Sequence, residues 1–346
     1  MAVTFLLFAV SLIIILLASE LFTNGVEWFG HRLNLGEGAV GSIFAAIGTA
    51  LPETIIPIIA IVFANGASGE SIGIGAIIGS SFMLATLAMF VVGIGIFIFS
   101  ITRKRSRQVR ASTDGMSRDL SYFLLSYGIA LIAALLPMRA VKIALAVGLI
   151  GIYANYVRVT IKDSGEKGED LRPLYLHKKG LPPHWRFITL QLAVALSAII
   201  LGADLFIKQV VAVSEYYAIP ALILSLLITP IATELPEKFN SLIWVRKNKD
   251  TLAIGNITGA MVFQSTFLPM FGIFLTPWHL TEPAIVAAAL GILASIVMVI
   301  NLRIRGSLHA GMLIFSGLFY FAFILYVWLA NGLGEGFITR AFSNIF

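Results

Sequence analysis

The chain has 346 residues, of which 58% are hydrophobic and only 12% are charged, and its formal net charge is +6. Soluble domains carry about 25% charged residues, so this composition excludes a soluble globular protein and indicates a polytopic membrane protein. Cysteine is absent, which excludes disulfides and thiolate metal sites, and the basic excess of a membrane protein reflects loop topology, so no nucleic-acid partner is expected.

Ten apolar segments are long enough to cross a bilayer, which takes about 20 helical residues. They predict an all-α polytopic membrane protein with ten transmembrane helices. The N-terminal segment has neither the basic region nor the cleavage site of a signal peptide, so it is predicted to be the first of these helices. The ten segments cover residues 2–24, 37–64, 71–100, 119–137, 140–161, 187–213, 218–245, 251–276, 282–302 and 308–330.

Basic residues are concentrated in the loops that follow the odd-numbered segments, whereas the opposite loops carry almost none apart from Arg139 and Lys142. Because basic loops stay in the cytoplasm, we expect a multi-pass protein of the plasma membrane with both termini outside. The one substantial hydrophilic stretch, residues 163–186, is predicted to be a cytoplasmic linker. It separates a first five-helix repeat, residues 1–162, from a second, residues 187–346.

The two halves share short motifs in the same order. GTALPE at Gly48–Glu53 corresponds to ATELPE at Ala232–Glu237, and GAIIGSSF at Gly75–Phe82 corresponds to GNITGAMV at Gly255–Val262. The first half begins outside and the second begins inside, so the repeats are predicted to have inverted topology. Interrupted apolar segments at matching places in such repeats point to a transporter's binding site near the bilayer midplane.

Glu53 and Glu237 end these motifs, and a carboxylate at hydrocarbon depth is costly enough to indicate function. The repeat symmetry predicts that the two face each other, where a hard cation or protons would relieve their repulsion. Calcium prefers oxygen ligands, and Thr49 and Thr233 add oxygens beside the two glutamates. One site with two mutually exclusive occupants, exposed alternately, is the physical basis of an antiporter.

These motifs and this topology resemble the calcium/cation antiporter superfamily, the sodium/calcium exchanger group. Its signatures are G-T-S-x-P-E in the second and seventh helices and G-N-x-x-G-S-N in the third and eighth, in two inverted five-helix repeats. The resemblance spans nearly the whole chain. It implies that Glu53 and Glu237 are the central cation ligands and that Thr49 and Thr233, with nearby carbonyls, serve the coupling ions.

The chain departs from the family pattern at several positions, four of which bear on the predicted ligands. The serine after the threonine is Ala50 in the first repeat and Glu234 in the second, and the residue after G-S is Ser81 in the third helix and Met261 in the eighth. Glu234 lies three residues before Glu237, on nearly the same helix face. It adds a third carboxylate if it points inward, whereas a lipid-edge position or a pairing with Lys238 would remove it from the site.

We therefore expect a secondary active cation antiporter and not an enzyme. The transported ions are expected to be Ca²⁺ and Na⁺ or H⁺, with no permanently bound cofactor, and the partners are inorganic cations and the lipid bilayer. The alternatives are an exchanger for another cation and a non-transporting membrane protein that retains the fold, and the sequence carries no signal for oligomeric state. The predicted ligands are Glu53, Glu237, Thr49, Thr233, Glu234 and Ser81.

Overall fold

The computed structural model describes residues 1–33, 50–64, 66–102, 105–109, 111–163, 173–177 and 184–330. Within these ranges every regular element is helical, which confirms the prediction of an all-α protein. The one β contact among them is an isolated antiparallel bridge between Gln108 and His309 in two connecting loops.

Eleven helices run through the described residues, one of them, α3, interrupted by a π-helical turn at Leu84–Ala88. Eight of the eleven are long and apolar enough to cross a membrane. The helices are α1 (Ala2–Arg32), α2 (Leu51–Phe63), α3 (Ala67–Thr102), α4 (Thr113–Leu135), α5 (Arg139–Asp163), α6 (Trp185–Tyr217), α7 (Ala221–Thr233), α8 (Leu235–Arg246), α9 (Asp250–Leu275), α10 (Glu282–Arg305) and α11 (Ala310–Ala330).

Those eight helices correspond to eight of the predicted segments. Four agree with the predicted bounds within a few residues, whereas α1, α3, α4 and α6 begin earlier or end later. The predicted segment 218–245 is instead divided into α7 and α8, with Glu234 alone between them. A proline has no N–H to donate and suits the first turn of a helix, and a proline opens α8 as another opens α2. The first part of the predicted segment 37–64 lies outside the described residues.

The helices form two buried apolar clusters. The larger one surrounds α3 and α9, which are the most buried of the long helices and which pack on α4, α5, α10 and α11. The smaller one joins α1 and α6 to α2 through Ile15, Ile56, Phe206 and Val210. The α1–α6 pair is therefore packed together and contacts the rest of the protein mainly through the short helices beside the candidate site.

The crossing of α3 and α7 is very close and depends on two glycines. A Cβ atom at Gly75 would lie 2.5 Å from the Leu222 carbonyl oxygen, and one at Gly79 would lie 2.3 Å from that of Leu226. Small residues let membrane helices approach in this way. At Gly255, in the second repeat, no described residue comes within 4 Å of such an atom.

Arg139 and Lys142, which are the basic residues near the loops of the opposite side, have a structural role at the end of α9. Arg139 donates to the carbonyl oxygens of Phe274 and Thr276, at 3.1 and 2.6 Å. Lys142 Nζ donates to those of Pro277 and Trp278, at 2.8 and 3.1 Å. Cations are favourable at a helix C-terminus, where carbonyl groups lack helical donors.

The predicted linker is described at residues 173–177, which dock on α1 and α6. The Asn24 Oδ1 atom accepts from the Tyr175 N–H at 3.2 Å, and Gln191 Oε1 accepts from the Leu176 N–H at 3.0 Å. Gln191 Nε2 also donates to Asn24 Oδ1 at 3.0 Å. This buried polar network satisfies backbone groups of the linker and attaches it to the α1–α6 pair.

Candidate functional site

The candidate site is built on the starts of the two short helices α2 and α8. Ala50, which precedes α2, has φ −86° and ψ 7°, and Glu234, which precedes α8, has φ −90° and ψ 10°. Two positions that correspond in the repeated motif therefore share one backbone conformation. Glu53 and Glu237 follow in the first turns of α2 and α8, where the positive end of the helix dipole favours a carboxylate.

Both of these glutamates are buried. Glu53 is 1% exposed, and neither of its carboxylate oxygens has a hydrogen-bond partner among the described residues. Glu237 is 4% exposed, and its Oε2 atom likewise has none within the described part of the chain. Because a buried polar group without a partner costs free energy, these oxygens are suited to bind an ion or proton.

Glu234 lies inside the protein and not at a lipid edge. It is fully buried, and the charges of Glu53, Glu234 and Glu237 are close enough to interact. Its Oε1 atom has no hydrogen-bond partner among the described residues. Two of these three interacting carboxylates come from the second half of the chain. Within the described residues, no three His, Cys, Asp or Glu side chains are arranged so that they could hold one metal ion.

Lys238 is the counter-charge of this cluster. Its Nζ atom lies 3.2 Å from Glu234 Oε2 and 3.3 Å from the Pro230 carbonyl oxygen. It also lies 3.2 Å from Met83 Sδ on α3, next to the π-helical turn. The Pro230 oxygen accepts from the Glu234 N–H as well, at 3.1 Å, so the ammonium is held against the break between α7 and α8.

Two of the other three predicted ligands, Thr233 and Ser81, are among the described residues. Thr233 is buried, and its Oγ1 donates to the Thr229 carbonyl at 3.1 Å, which leaves the lone pairs of the hydroxyl oxygen available. Ser81 is buried in α3, two residues before Met83, and its Oγ has no hydrogen-bond partner within the described ranges. Thr49 lies outside the described residues.

Two polar residues of α9 complete the surroundings of the carboxylates. Gln264 is buried beside Glu234, and its Oε1 atom has no hydrogen-bond partner in the described part of the chain. Asn256 Nδ2 donates to the Glu237 carbonyl oxygen at 3.2 Å and so fixes the backbone of α8 against α9. Met261, by contrast, is packed in the larger apolar cluster.

The sequence motifs do not identify all the residues that contact the charged cluster. Met83 and the Pro230 carbonyl contact the lysine, and Tyr320 on α11 lies near enough to Glu234 for their charges to interact. None of these three belongs to a repeated motif. The four-residue spacing of Glu234 and Lys238 is the one sequence signal for this part of the site, because residues so spaced are neighbours on a helix surface.

Comparisons with known proteins bear on the family and the fold of the chain. A sequence profile of the family described as "Sodium/calcium exchanger protein" matches residues 3–162 and 187–330. An uncharacterized membrane protein of Methanocaldococcus jannaschii is 24% identical over 74% of this chain and 76% of its own. A putative antiporter, CaxA, of Alkalimonas amylolytica is 22% identical over 78% of this chain and 79% of its own.

Two solved structures share the fold. The H⁺/Ca²⁺ exchanger CAX superposes with a TM-score of 0.72 at 17% identity and covers 97% of this chain and 90% of its own. The sodium–calcium exchanger NCX_Mj superposes with a TM-score of 0.59 at 19% identity and covers 93% of this chain and 97% of its own. With a profile match that runs through both halves of the chain, the protein belongs to the sodium/calcium exchanger family of integral membrane proteins.

Proposed function

We propose that the protein is a secondary active antiporter that exchanges calcium for sodium or protons through the site formed by Glu53 and Glu237. Family membership supports cation exchange in general. The observation that carries the specific proposal is the burial of both glutamates at equivalent helix starts, with three of their carboxylate oxygens lacking partners among the described residues.

The donor set suits a hard cation. Calcium takes six to eight oxygen ligands from carboxylates, carbonyls, hydroxyls and water. Glu53, Glu237 and Glu234 would supply carboxylate oxygens, while Ser81, Thr233 and Thr49 would supply hydroxyl oxygens. When calcium leaves, the same carboxylates would take up sodium ions or protons, so the two kinds of ion compete for one site.

We further propose ten membrane crossings in two inverted repeats, residues 1–162 and 187–346, joined by a cytoplasmic linker at 163–186. Eight crossings would be the long helices, and the broken segments that contain α2 and α7–α8 would be the other two. The helix contacts support the repeat, because α3 packs on α10 and α11 in the way that α9 packs on α4 and α5. The basic loops favour a plasma-membrane protein with both termini outside.

The packing supports a route for alternating access. The α1–α6 pair shares the smaller apolar cluster with α2 and is separate from the larger cluster around α3 and α9. Sliding of this pair against the other helices would open the site to one side and then to the other. This step rests on the fold and not on any single residue.

Proton coupling is a specific second candidate for the exchanged ion. Ala50 and Met261 stand where the family pattern has oxygen ligands, so the site has fewer neutral oxygens and relies more on carboxylates. Sodium sites need several oxygens each, whereas a proton needs one carboxylate oxygen. The balance between these donors therefore favours a proton over several sodium ions as the counter-ion.

The test is calcium-45 uptake into liposomes that contain the purified full-length protein. An outward sodium gradient and an outward proton gradient are applied separately, and protein-free liposomes give the background. Uptake driven by one gradient and abolished when that gradient is collapsed is expected. Uptake at background under both gradients would reject calcium antiport and favour an exchanger for another cation or a non-transporting protein.

A further inference from the structure

Lys238 has a position that the proposed exchange does not use. The residue is only 7% exposed, although a lysine in a membrane helix ordinarily extends its ammonium towards water. Here the ammonium is held by Glu234 at 3.2 Å and by the Pro230 carbonyl at 3.3 Å. A buried charge of this kind is stable only with a partner, so Glu234 and Lys238 form one unit.

Comparison of the two motifs shows that both charges are present in the second and both are absent from the first. Position 50 corresponds to position 234 and position 54 to position 238, and the first repeat has Ala50 and Thr54 there. The Thr54 hydroxyl donates to the Ala50 carbonyl oxygen at 2.8 Å, within its own helix turn. The second repeat therefore adds a carboxylate and an ammonium, and each repeat contributes one negative charge beyond any such pair.

We propose that Lys238 is a built-in cation of the site which neutralises Glu234 and so restricts exchange to one divalent cation against two monovalent charges. Three carboxylates and one ammonium leave two negative charges to be balanced by mobile ions. Either one calcium ion or two monovalent cations make the site neutral. Because a net charge is costly in a low-dielectric interior, these two loaded forms are the ones that cross between the two sides, and the cycle is electroneutral.

This inference rests on the proposed antiport function and adds its charge stoichiometry. Lys238→Gln would leave three carboxylates without a fixed cation. The neutral monovalent-loaded form would then hold three ions, and their exchange for one calcium would move one net charge per cycle. Glu234→Gln would leave the ammonium without its carboxylate, so one monovalent ion would neutralise the site. Exchange of that ion for one calcium would move one net charge per cycle in the direction opposite to that in Lys238→Gln. The double variant E234Q/K238Q removes both charges and restores the balance of the wild type.

The experiment measures coupled calcium-45 uptake into proteoliposomes at zero potential and at about 100 mV, set with potassium and valinomycin. The wild type is expected to reach the same accumulation at both potentials. Any coupled uptake that E234Q/K238Q retains after loss of the Glu234 carboxylate should also be independent of the potential. For K238Q and E234Q a potential of this size should change the accumulation roughly fifty-fold for each net charge moved per cycle. The single variants are thus compared with a double variant that retains Glu53 and Glu237.

Each outcome has a distinct meaning. Coupled uptake by the wild type that depends on the potential would overturn the inference and leave antiport intact. Coupled uptake by K238Q that is independent of the potential, as in the wild type, would have the same meaning. Absence of coupled uptake in the wild type would overturn the antiport function and this inference with it. If the single variants do not fold, the wild type and double variant decide, because potential-dependent uptake by either contradicts the built-in cation.

Discussion

Ala50 and Glu234 occupy the same backbone conformation at the starts of α2 and α8, although one carries a methyl group and the other a carboxylate. The break between helix segments therefore does not depend on the side chain at this position. What differs is the charge delivered to the site, and in the second repeat Lys238 balances that charge at 3.2 Å. The two positions are alike in backbone conformation and unequal in charge.

This relationship predicts the effect of adding the same charge to the first repeat. Ala50 is 5% exposed, so Ala50→Glu would bury a carboxylate without a partner, and the stability should fall by about 3–5 kcal/mol. Adding Thr54→Lys places an ammonium four residues later, as in the second repeat, and should recover most of the loss. The apparent melting temperature of the detergent-solubilised protein measures both effects, with T54K alone as the control.

Glu53→Gln and Glu237→Gln are each expected to reduce coupled calcium-45 uptake to the level of protein-free liposomes. An amide keeps the size of the side chain but loses the charge that a divalent ion requires. The matched control is Asp204→Asn on α6, because Asp204 is half exposed and pairs with Lys208 at 2.6 Å, away from the site. Full uptake by a folded Glu53→Gln or Glu237→Gln protein would remove that residue from the ion site.

Much of the fold follows from the sequence, because apolar length and proline position are local signals. Eight long helices match predicted segments, and the proline that opens α8 coincides with a real interruption. The motif indicates an interruption within the predicted segment 218–245, but it does not show that the segment forms two helices separated at Glu234. The cause of this separation is local backbone geometry, which hydropathy does not record.

Only those residues of the candidate site that belong to a repeated sequence motif could be predicted from the sequence. Duplication predicted Glu53 and Glu237 as ligands, and their charges lie close enough to interact with that of Glu234. The inward orientation of Glu234 depends on tertiary packing, since its partner Lys238 is itself in contact with Met83 of α3. Contacts between helices that are far apart in the chain, such as this one, produce no periodic pattern in a single sequence.

The close crossing of α3 and α7 predicts that Gly79→Ala is destabilising. The new methyl group would lie 2.3 Å from the Leu226 carbonyl oxygen, and backbone cannot move aside as a flexible side chain does. Overpacking of this kind costs about 1–3 kcal/mol. The control is Gly128→Ala on α4, where no described residue lies within 4 Å of the added atom.

Gly128→Ala should be neutral or stabilise its helix by up to about 1 kcal/mol. Apparent melting temperatures in detergent and calcium-45 uptake are measured for both glycine variants. A Gly79→Ala protein as stable as Gly128→Ala would show that α3 and α7 are not in close contact there.

The buried ion pair of Arg105 and Asp250 is expected to contribute strongly to the stability of the protein. The guanidinium donates to Asp250 Oδ2 at 2.5 Å and to the Val245 carbonyl at 2.6 Å, so it joins the α3–α4 loop to the end of α8 and the start of α9. Their side chains are only 6% and 1% exposed. Removing one partner of a buried pair costs about 3–5 kcal/mol, because the other charge is left buried.

Arg105→Gln should therefore lower the apparent melting temperature markedly, and R105Q/D250N should lower it less than R105Q does. Lys208→Gln is the matched control, since the Lys208–Asp204 pair is largely exposed, at 67% and 49% of the two side chains. An exposed pair contributes about 0–1 kcal/mol. Equal losses in R105Q and K208Q would mean that burial of the Arg105–Asp250 pair does not determine its strength, and that the α3–α4 loop is held by its other contacts.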